Sequence, residues 1–584
     1  MKKIISLLLT VTMLIGVVSA LASCGAPKNP GAQIAVYLGD EVYDFDPTDY
    51  YVDDNAEQVM SLLFEPLFRV NEKGKLECAA AKDYEVDEEN RTITITIRET
   101  YWSDGSPVFA EHFISAWRNL LDAGTANPAS ALLYDIEGAL AVKQGDETKN
   151  SSELGLERVE VDVIRITYRE GGNYKQLLKN LASVATSPVH FNNYEKAPSH
   201  WTKSSSTWIF NGPFQISGID RDEGSFTLER NMGYHQSPDV KDYDNIVKAH
   251  KLIAAFGIDG ESVGLTYSDI ENKTVFYMGN ASLADRVAHG ANTVKSDLST
   301  YTYVFNTDKP LFNNAVVRRA LSLAIDRNAI VAAIKYGQAA NGFLPDMVVD
   351  VQNNSTLTSN ALIDGQAKVN EAKQLLTTVT LPSDKAITLT VNKDEESVKI
   401  ANLVKLAWEG LNVGITVTVN PVTSVSTEIA GVEYEDSEIQ YIVKNAAVSG
   451  VRDFDVIGVD WQMYSTDAFV ALSAFSSEMS GNGASFDENG AAALRLNISG
   501  WKNDAYDALI KAAYEATDLS VRAAKLREAE AKLVEEAPVI PLVYNQNFAY
   551  TAKGISGLKC DGYGNLILTE LKQKNYEDYL PKED

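Results

Sequence analysis

Ser262 has the spacing of a catalytic nucleophile. It lies at the centre of Gly260-Glu-Ser-Val-Gly264, which fits the G-x-S-x-G pattern of hydrolases. That pattern forms a reactive turn only between a strand and a helix, with an acid and a histidine further along the chain. His289 is the only histidine that follows, and no helical pattern is evident after the motif. A serine hydrolase is therefore an alternative that the spacing alone does not establish.

The histidines of the chain show no metal-binding spacing. There are six, scattered singly: His112, His190, His200, His235, His250 and His289. Metal sites usually show paired ligands a few residues apart, such as H-x-x-x-H. We therefore predict no metal site, no cofactor and no catalytic residues.

The first residues of the chain are typical of an export signal. Lys2-Lys3 precedes an apolar run from Ile4 to Val18, and Leu21-Ala-Ser-Cys24 follows. The box Leu-Ala-Ser-Cys-Gly resembles the bacterial lipoprotein cleavage site, in which the cysteine becomes the lipidated first residue. We predict a signal peptide over 1–23, lipidation at Cys24 and a tether over 24–32. This places the protein outside the cell, anchored to the outer face of the cytoplasmic membrane; the alternative is a plain secretory signal.

Charge and length limit the class of protein. The 584 residues exceed one hydrophobic core and predict two or three domains. A formal charge of −28 argues against a nucleic-acid partner, whose phosphates would be repelled, and mildly favours a cationic ligand. Two cysteines, Cys78 and Cys560, remain after the signal; they either bridge or are separate thiols, and the sequence leaves this open.

The elements that must position any site can be predicted in part. Tyr84 to Glu99 alternates apolar and polar residues around a turn at 87–90, which predicts a hairpin. A strand from Thr302 to Phe305 should end at Pro310, because proline cannot donate to a ladder. One helix should follow, capped by Asn313 or Asn314 and closed by Gly337. Its buried face is predicted at Val317, Leu321, Ile325 and Ile330.

Further along, helices and strands alternate. The patterns predict helices over 367–376 and 398–410 and strands over 386–391 and 415–419. Such alternation is typical of a mostly parallel sheet covered by helices.

Several short blocks, in order, resemble the family 5 solute-binding proteins of ABC importers. They spread over nearly all of the predicted mature chain: Phe45-Asp-Pro47, Leu63-Phe-Glu-Pro-Leu67, Trp102-Ser-Asp-Gly-Ser-Pro-Val108, Asn211-Gly-Pro-Phe214, Phe305-Asn-Thr307, Ala324-Ile-Asp-Arg327, Asp453-Phe-Asp-Val456 with Trp461, Asn503-Asp-Ala-Tyr-Asp507 and Ala537-Pro-Val-Ile-Pro541. Any one block is weak evidence, whereas the ordered set behind a lipoprotein signal is specific.

The resemblance implies an α/β, periplasmic-binding-protein-like two-lobed fold (type II, cluster C) with an extra domain inserted in the first lobe. It implies a monomer that binds a small molecule or peptide between closing lobes and delivers it to ABC-transporter permease subunits. The implied boundaries are lobe I over 33–75, 205–299 and 546–584, the inserted domain over 76–204, and lobe II over 300–545. A sensor on the same fold, which binds without feeding a permease, is the other alternative.

The resemblance also points to candidate ligand-binding residues. Peptide-binding members carry Gly-Trp, two residues, then Asp-Tyr, in which the aspartate pairs with the peptide α-ammonium. Here Trp461 matches, but Tyr464 stands at the aspartate position and Asp460 at the glycine position. Either Asp460 or Asp467 supplies a replacement charge, or the ligand is not a peptide with a free N-terminus. The full candidate set is Trp461, Asp460, Tyr464, Asp467 and Gln462, with Glu41 and Val42 from the opening loop.

Overall fold

The fold was analysed in a computed structural model. It describes residues 31–146, 153–191, 201–236, 246–257, 264–279, 281–290, 293–348 and 361–579. The predicted signal peptide, Cys24, most of the tether and Ser262 lie outside these residues. Within them, no helix is long and apolar enough to cross a membrane.

The helices are distributed along the whole described chain. The α-helices are Asp54–Leu63, Ala110–Leu121, Ala139–Lys143, Tyr174–Asn180, Tyr267–Glu271, Leu283–His289, Ala315–Leu323, Arg327–Ile334, Val369–Leu376, Glu395–Glu409, Glu438–Ser449, Ala468–Ser473, Asp504–Glu515 and Leu519–Glu536. Three 3-10 turns cover Pro128–Leu133, Val184–Thr186 and Tyr576–Tyr579.

Strands form one large sheet and several small ones. The large sheet contains Gln33–Tyr37, Phe214–Asp220, Ser225–Arg230, Lys251–Ala255, Tyr277–Gly279, Thr293–Phe305, Gln338–Ala339, Ala386–Asn392, Thr416–Val422, Val456–Gln462 and Val539–Thr551. The inserted domain contains Ala81–Asp87, Thr92–Ile97, Leu156–Glu160 and Val163–Thr167. Short pairs are Phe68–Val70 with Leu76–Cys78, Ser424–Ile429 with Val432–Ser437, Ala484–Phe486 with Ala492–Leu494, Ile555–Ser556 with Lys572–Gln573, and Lys559–Cys560 with Leu566–Ile567.

Two long antiparallel strands connect the two lobes. Thr293–Phe305 and Val539–Thr551 pair along most of their length, and their register shifts between the pairs Ser296–Gln546 and Thr300–Tyr544. On one side of this irregularity the second strand pairs with Tyr277–Gly279; this side is called lobe I. On the other side the first strand pairs with Val456–Gln462; this side is called lobe II. A break in a ladder is where strands bend, so the crossing between lobes lies there.

Lobe II contains the predicted alternation of strands and helices. Ala386–Asn392 and Thr416–Val422 pair in parallel, and the helix Glu395–Glu409 connects them. Trp408 of this helix is buried against Tyr303 and Phe305, and its indole donates to Leu321 O at 3.0 Å. The prediction of a parallel, helix-covered sheet is confirmed here.

The helix predicted between Asn314 and Gly337 is in fact two helices. Ala315–Leu323 begins at Asn314, whose side chain accepts from Val316 N. Arg327–Ile334 begins at Asp326, whose side chain accepts from Ala329 N at 2.8 Å. The prediction was wrong because an aspartate inside the apolar repeat caps a new helix, since a short carboxylate satisfies the free amides of a first turn.

The inserted domain is an antiparallel sheet covered by helices. Ile93, Ile95 and Ile97 are buried on one face of Thr92–Ile97, which pairs with Ala81–Asp87 as predicted. Phe113 and Trp117 of the helix Ala110–Leu121 are also buried in this core. Cys78 and Cys560 are both half-buried and form no disulfide, so the alternative without a bridge is the observed one.

Candidate functional site

Trp461 lies where lobe II meets lobe I. It is 2% exposed and lies in the strand Val456–Gln462 of the large sheet. Its ring centroid is 4.7 Å from that of Phe475 and 6.1 Å from that of Phe343, both in lobe II. Tyr51 of lobe I lies edge-on to it at 6.0 Å. Trp461 therefore contributes to an aromatic cluster that closes across the lobes.

Gln462 joins the lobes by its backbone and by its side chain. Its N–H donates to Tyr51 O at 3.0 Å. Its amide nitrogen contacts the carboxylate of Glu57, on the lobe I helix Asp54–Leu63. The amide oxygen of Gln462 is buried and has no hydrogen-bond partner among the described residues. Buried polar atoms are nearly always satisfied, so this oxygen can accept from a bound molecule.

Tyr464 fills the junction between the two lobes and the inserted domain. Its backbone is left-handed, with φ of 51°. Its hydroxyl donates to Thr48 O at 2.7 Å and lies 3.3 Å from the side-chain oxygen of Asn127. The ring packs edge-on to Tyr50 at 4.9 Å, and burial raises the pKa of Tyr464 well above its usual value. The phenol is therefore a neutral donor to the protein's own backbone.

Asp467 is held by an ion pair within lobe II. Both carboxylate oxygens are 2.9 Å from Arg522 Nη2, and the side chain is 2% exposed. The carboxylate also caps the helix Ala468–Ser473 by accepting from Phe469 N at 3.0 Å. These contacts account for Asp467 without a ligand.

Asp460 belongs to a different group, on the opposite face of the strand from Trp461. It stands directly across from Tyr301 in the sheet and accepts from Asn545 Nδ2 at 2.6 Å. The pKa of Tyr301 is raised well above its usual value by burial, and also by Tyr303 and by the charges of Asp394 and Asp460. Asp460 is only half-buried, so it differs from Asp467 in its access to the junction.

Further carboxylates from both lobes surround Asp394. Asp394 caps the helix Glu395–Glu409, and its pKa is raised to about 7 by burial, by Asp40 of lobe I and by Glu396. Arg286 of lobe I pairs with Glu396 and lies over the ring of Tyr336 at 4.9 Å. Sequence patterns indicated neither Asp394 nor Arg286, because each acts through a residue of the other lobe.

Glu41 and Val42 are held together by one arginine. Arg221 pairs with the carboxylate of Glu41 and donates to Val42 O at 3.4 Å. These contacts lie within lobe I, and they do not involve the rings that pack on Trp461. The candidates that the structure brings together are Trp461, Gln462 and Tyr464, against the lobe I loop that contains Thr48 and Tyr51.

Sequence patterns also gave no indication of a group of ion pairs that connect lobe II to lobe I and to Lys203; the region around these pairs is called the mouth of the cleft. Lys444 of lobe II lies 3.3 Å from Asp44 of lobe I and also contacts Asp49. Lys203 lies 3.3 Å from Asp44 and contacts Asp436 of lobe II. No spacing rule connects charges that are hundreds of positions apart, so no local signal marks them.

We expect the protein to become more stable as the pH falls from about 8 to about 5.5. Burial, with help from neighbouring acids for the first two, raises the pKa of Asp46 to about 6, of Asp394 to about 7 and of Glu530 to about 7. Through these three carboxyls the folded protein binds protons in a range where the unfolded chain, with carboxyl pKa values near 4, does not. They outnumber Lys143 and His112, whose pKa values burial lowers to about 7 and about 4 and which act in the opposite direction. The melting temperature, measured across this range, should rise on acidification.

Asp394→Asn provides the check on this dependence. It removes one of the raised groups, so its melting temperature should change less with pH than that of the wild type. Asp453→Asn, which alters an exposed carboxylate, should reproduce the wild-type slope. A melting temperature that falls steadily between about pH 8 and about pH 5.5 would contradict the assignment.

The chain matches a known family over most of its length. The family model described as bacterial extracellular solute-binding proteins, family 5 Middle, matches residues 75–483. The dipeptide-binding protein DppE of Bacillus subtilis is 27% identical over 506 residues, which are 84% of this chain and 82% of that protein. The periplasmic murein peptide-binding protein MppA of Escherichia coli is 26% identical over 501 residues, 84% of this chain and 83% of its own.

A solved structure shows the same fold. The Listeria monocytogenes OppA structure, described as bound to peptide, superposes with a TM-score of 0.75 at 19% identity, and the match covers 93% of this chain and 99% of that one. The predicted two-lobed α/β fold is confirmed by this likeness. With its family model matched over more than half of its residues, the chain belongs to family 5 of the bacterial extracellular solute-binding proteins.

Proposed function

We propose that this protein captures a peptide between its two lobes and delivers it to the permease subunits of an ABC importer. The observation that carries the proposal is a family 5 fold whose lobes meet around Trp461 and Gln462. The relatives named above are, by their names, binders of dipeptides and murein peptides. Peptides offer N–H donors, and the buried oxygen of Gln462 is an acceptor that such a donor would satisfy.

The free amino group of such a peptide needs an anionic partner other than residue 464. Tyr464 uses its hydroxyl on Thr48 O, and Asp467 is neutralised by Arg522. Asp460 is half-buried and accepts from Asn545, whose amide is neutral, whereas Asp467 faces the cation of Arg522. We therefore assign recognition of the ligand's positive charge to Asp460. The net charge of −28 favours the approach of a cationic ligand.

The proposal also includes a lipid anchor, a division into lobes and an inserted domain, and a monomeric state. The export signal and Cys24 support an extracytoplasmic lipoprotein. The division into lobe I, inserted domain and lobe II follows the predicted boundaries at about residues 75, 204, 299 and 545, and the protein acts as a monomer. A sensor on the same fold is the second candidate, because a closed liganded form can equally be presented to a receptor.

The function can be tested by identifying what the purified protein carries. Mild denaturation followed by mass spectrometry should release peptides. Added back at about 100 times their dissociation constant, they should stabilise the wild type by about 2.7 kcal/mol and raise its melting temperature. In Asp460→Asn the shift should be reduced for peptides with a free amino group.

A matched control is Asp453→Asn, which removes an exposed carboxylate seven positions earlier and should keep the full shift. Failure of every recovered or synthetic peptide to shift the melting temperature would exclude peptide capture. Ester hydrolysis that is lost in Ser262→Ala would support the serine hydrolase instead.

A further inference from the structure

A hairpin and a helix of lobe II reach across the mouth of the cleft. The strands Ser424–Ile429 and Val432–Ser437 pair directly, and the helix Glu438–Ser449 follows without a loop. This unit, residues 424–449, is called the strap. In the sequence, the strap follows the strand Thr416–Val422 and precedes the strand that contains Trp461. Both strands belong to lobe II, so the strap moves with that lobe.

Charges of alternating sign connect the strap to the other side of the cleft. In order of contact they are Asp49, Lys444, Asp44, Lys203 and Asp436. Lys444 and Asp436 belong to the strap, whereas the other three do not. The chain of ion pairs therefore crosses the mouth three times, from Asp49 to Lys444, from Lys444 back to Asp44, and from Lys203 to Asp436.

These ion pairs are shielded from solvent at their centre. The side chains of Asp44 and Lys203 are each 7% exposed, and that of Asp436 is 12% exposed. Burial alone would raise the pKa of Asp44, but Lys444 and Lys203 outweigh it and hold the pKa below its usual range. Thr427 of the strap donates to the second oxygen of Asp436 at 2.9 Å and fixes its orientation. Charges buried this well require their partners, so the pairs favour one relative position of the lobes.

The loop held by the strap is the same loop that meets the candidate site. Residues 44–53 of lobe I supply Asp44 and Asp49 to Lys444, and Thr48 and Tyr51 to the segment around Tyr464. Gln440 of the strap also donates to the carboxylate of Asp53 at 3.5 Å. Displacement of this loop would thus disturb the mouth and the site together.

We propose that the strap is an electrostatic latch that keeps the cleft closed, with Lys444 as its central residue. The latch shifts the ligand-free protein toward the closed arrangement and slows the escape of a ligand that is bound. When the lobes separate, Lys444 and Asp436 leave their partners on the other side of the mouth, so the latch acts only on the closed form. The role as a barrier to escape rests on the proposed function, but closure itself does not.

The latch can be tested on the ligand-free, full-length protein by small-angle X-ray scattering. In Lys444→Met the radius of gyration should exceed that of the wild type, because Asp44 and Asp49 lose their partner across the mouth. Raising the salt from about 50 mM to about 500 mM should expand the wild type less than the substitution does, because the side chain of Lys444 is 34% exposed and its pairs are screened only in part, while Asp44 and Lys203 are buried. Asp436→Asn breaks the other crossing and should also expand the protein.

Lys525→Met is the matched control. Lys525 pairs with Glu528 three residues further along the same helix, at 2.9 Å, so its loss removes a charge without touching the mouth. Its scattering should equal that of the wild type, and circular dichroism should show all variants folded. Wild-type dimensions in both Lys444→Met and Asp436→Asn at every salt concentration would overturn the latch. Because no peptide is present, that result would leave peptide capture untouched.

Discussion

Replacing Trp461 by alanine is expected to lower the free energy of unfolding by about 3–5 kcal/mol. The indole is 2% exposed and packs against Phe343, Phe475 and Tyr51. Its removal leaves a cavity between rings that belong to both lobes, and such a cavity closes only if the lobes shift. Urea denaturation followed by circular dichroism measures the loss.

The conservative variant Trp461→Phe separates packing from binding. Phenylalanine keeps an aromatic ring in the cluster, so most of the stability should be retained. If the indole also lines the ligand site, this variant should still show a smaller peptide-induced rise in melting temperature than the wild type. A loss below about 1 kcal/mol in Trp461→Ala would mean that the aromatic cluster is not closed in solution.

Local patterns predicted the parts of the fold that depend on neighbours in sequence. The alternation at Ile93, Ile95 and Ile97 identified a strand because side chains at every second position face one side. The helices and strands around Trp408 were also predicted from the repeat of apolar residues, with the period of a helix or of a strand in turn. Where a single polar residue decides the outcome, as Asp326 does by starting a second helix, the repeat was misleading.

The candidate site was less predictable because its contacts are long-range. The bond from Tyr464 to Thr48 connects residues 416 positions apart, and the one from Lys444 to Asp44 connects residues 400 apart. Nothing in the neighbourhood of Lys444 distinguishes it from a surface lysine. Family resemblance located the segment around Trp461, but it could not show that Tyr464 would be satisfied by the protein's own backbone.

The contacts across the cleft imply that closure is shared between polar and apolar groups. Trp461 and Tyr51 provide an aromatic contact, while Gln462 and Tyr51 provide a backbone hydrogen bond. At the mouth, Lys444 and Asp44 provide charge. Aromatic packing is insensitive to salt and the ion pairs are not, so ionic strength should alter the mouth more than the aromatic cluster.

Asp467 and Asp460 were equivalent candidates in the sequence, but they have different partners in the structure. The sequence offered both as replacements for the missing aspartate. Arg522 lies 55 positions after Asp467 and was not recognisable as its partner, yet it binds both carboxylate oxygens at 2.9 Å. Asp460 is half-buried, stands opposite Tyr301 in the sheet and accepts from Asn545 rather than from an arginine.

Asp467→Ala is therefore expected to lower the free energy of unfolding by about 3–5 kcal/mol, whether or not a ligand is bound. The substitution leaves Arg522 buried beside Phe469 without its carboxylate, and it removes the cap of the helix Ala468–Ser473. Asp518→Ala is the matched control, because Asp518 caps the helix that contains Arg522 but is exposed; it should cost only about 1 kcal/mol. Urea denaturation of both variants in parallel measures the two losses of unfolding free energy. Equal losses of unfolding free energy in the two variants would contradict the structural role of Asp467. Unchanged stability of Asp467→Ala together with a lost peptide-induced shift would instead assign Asp467 to the ligand site.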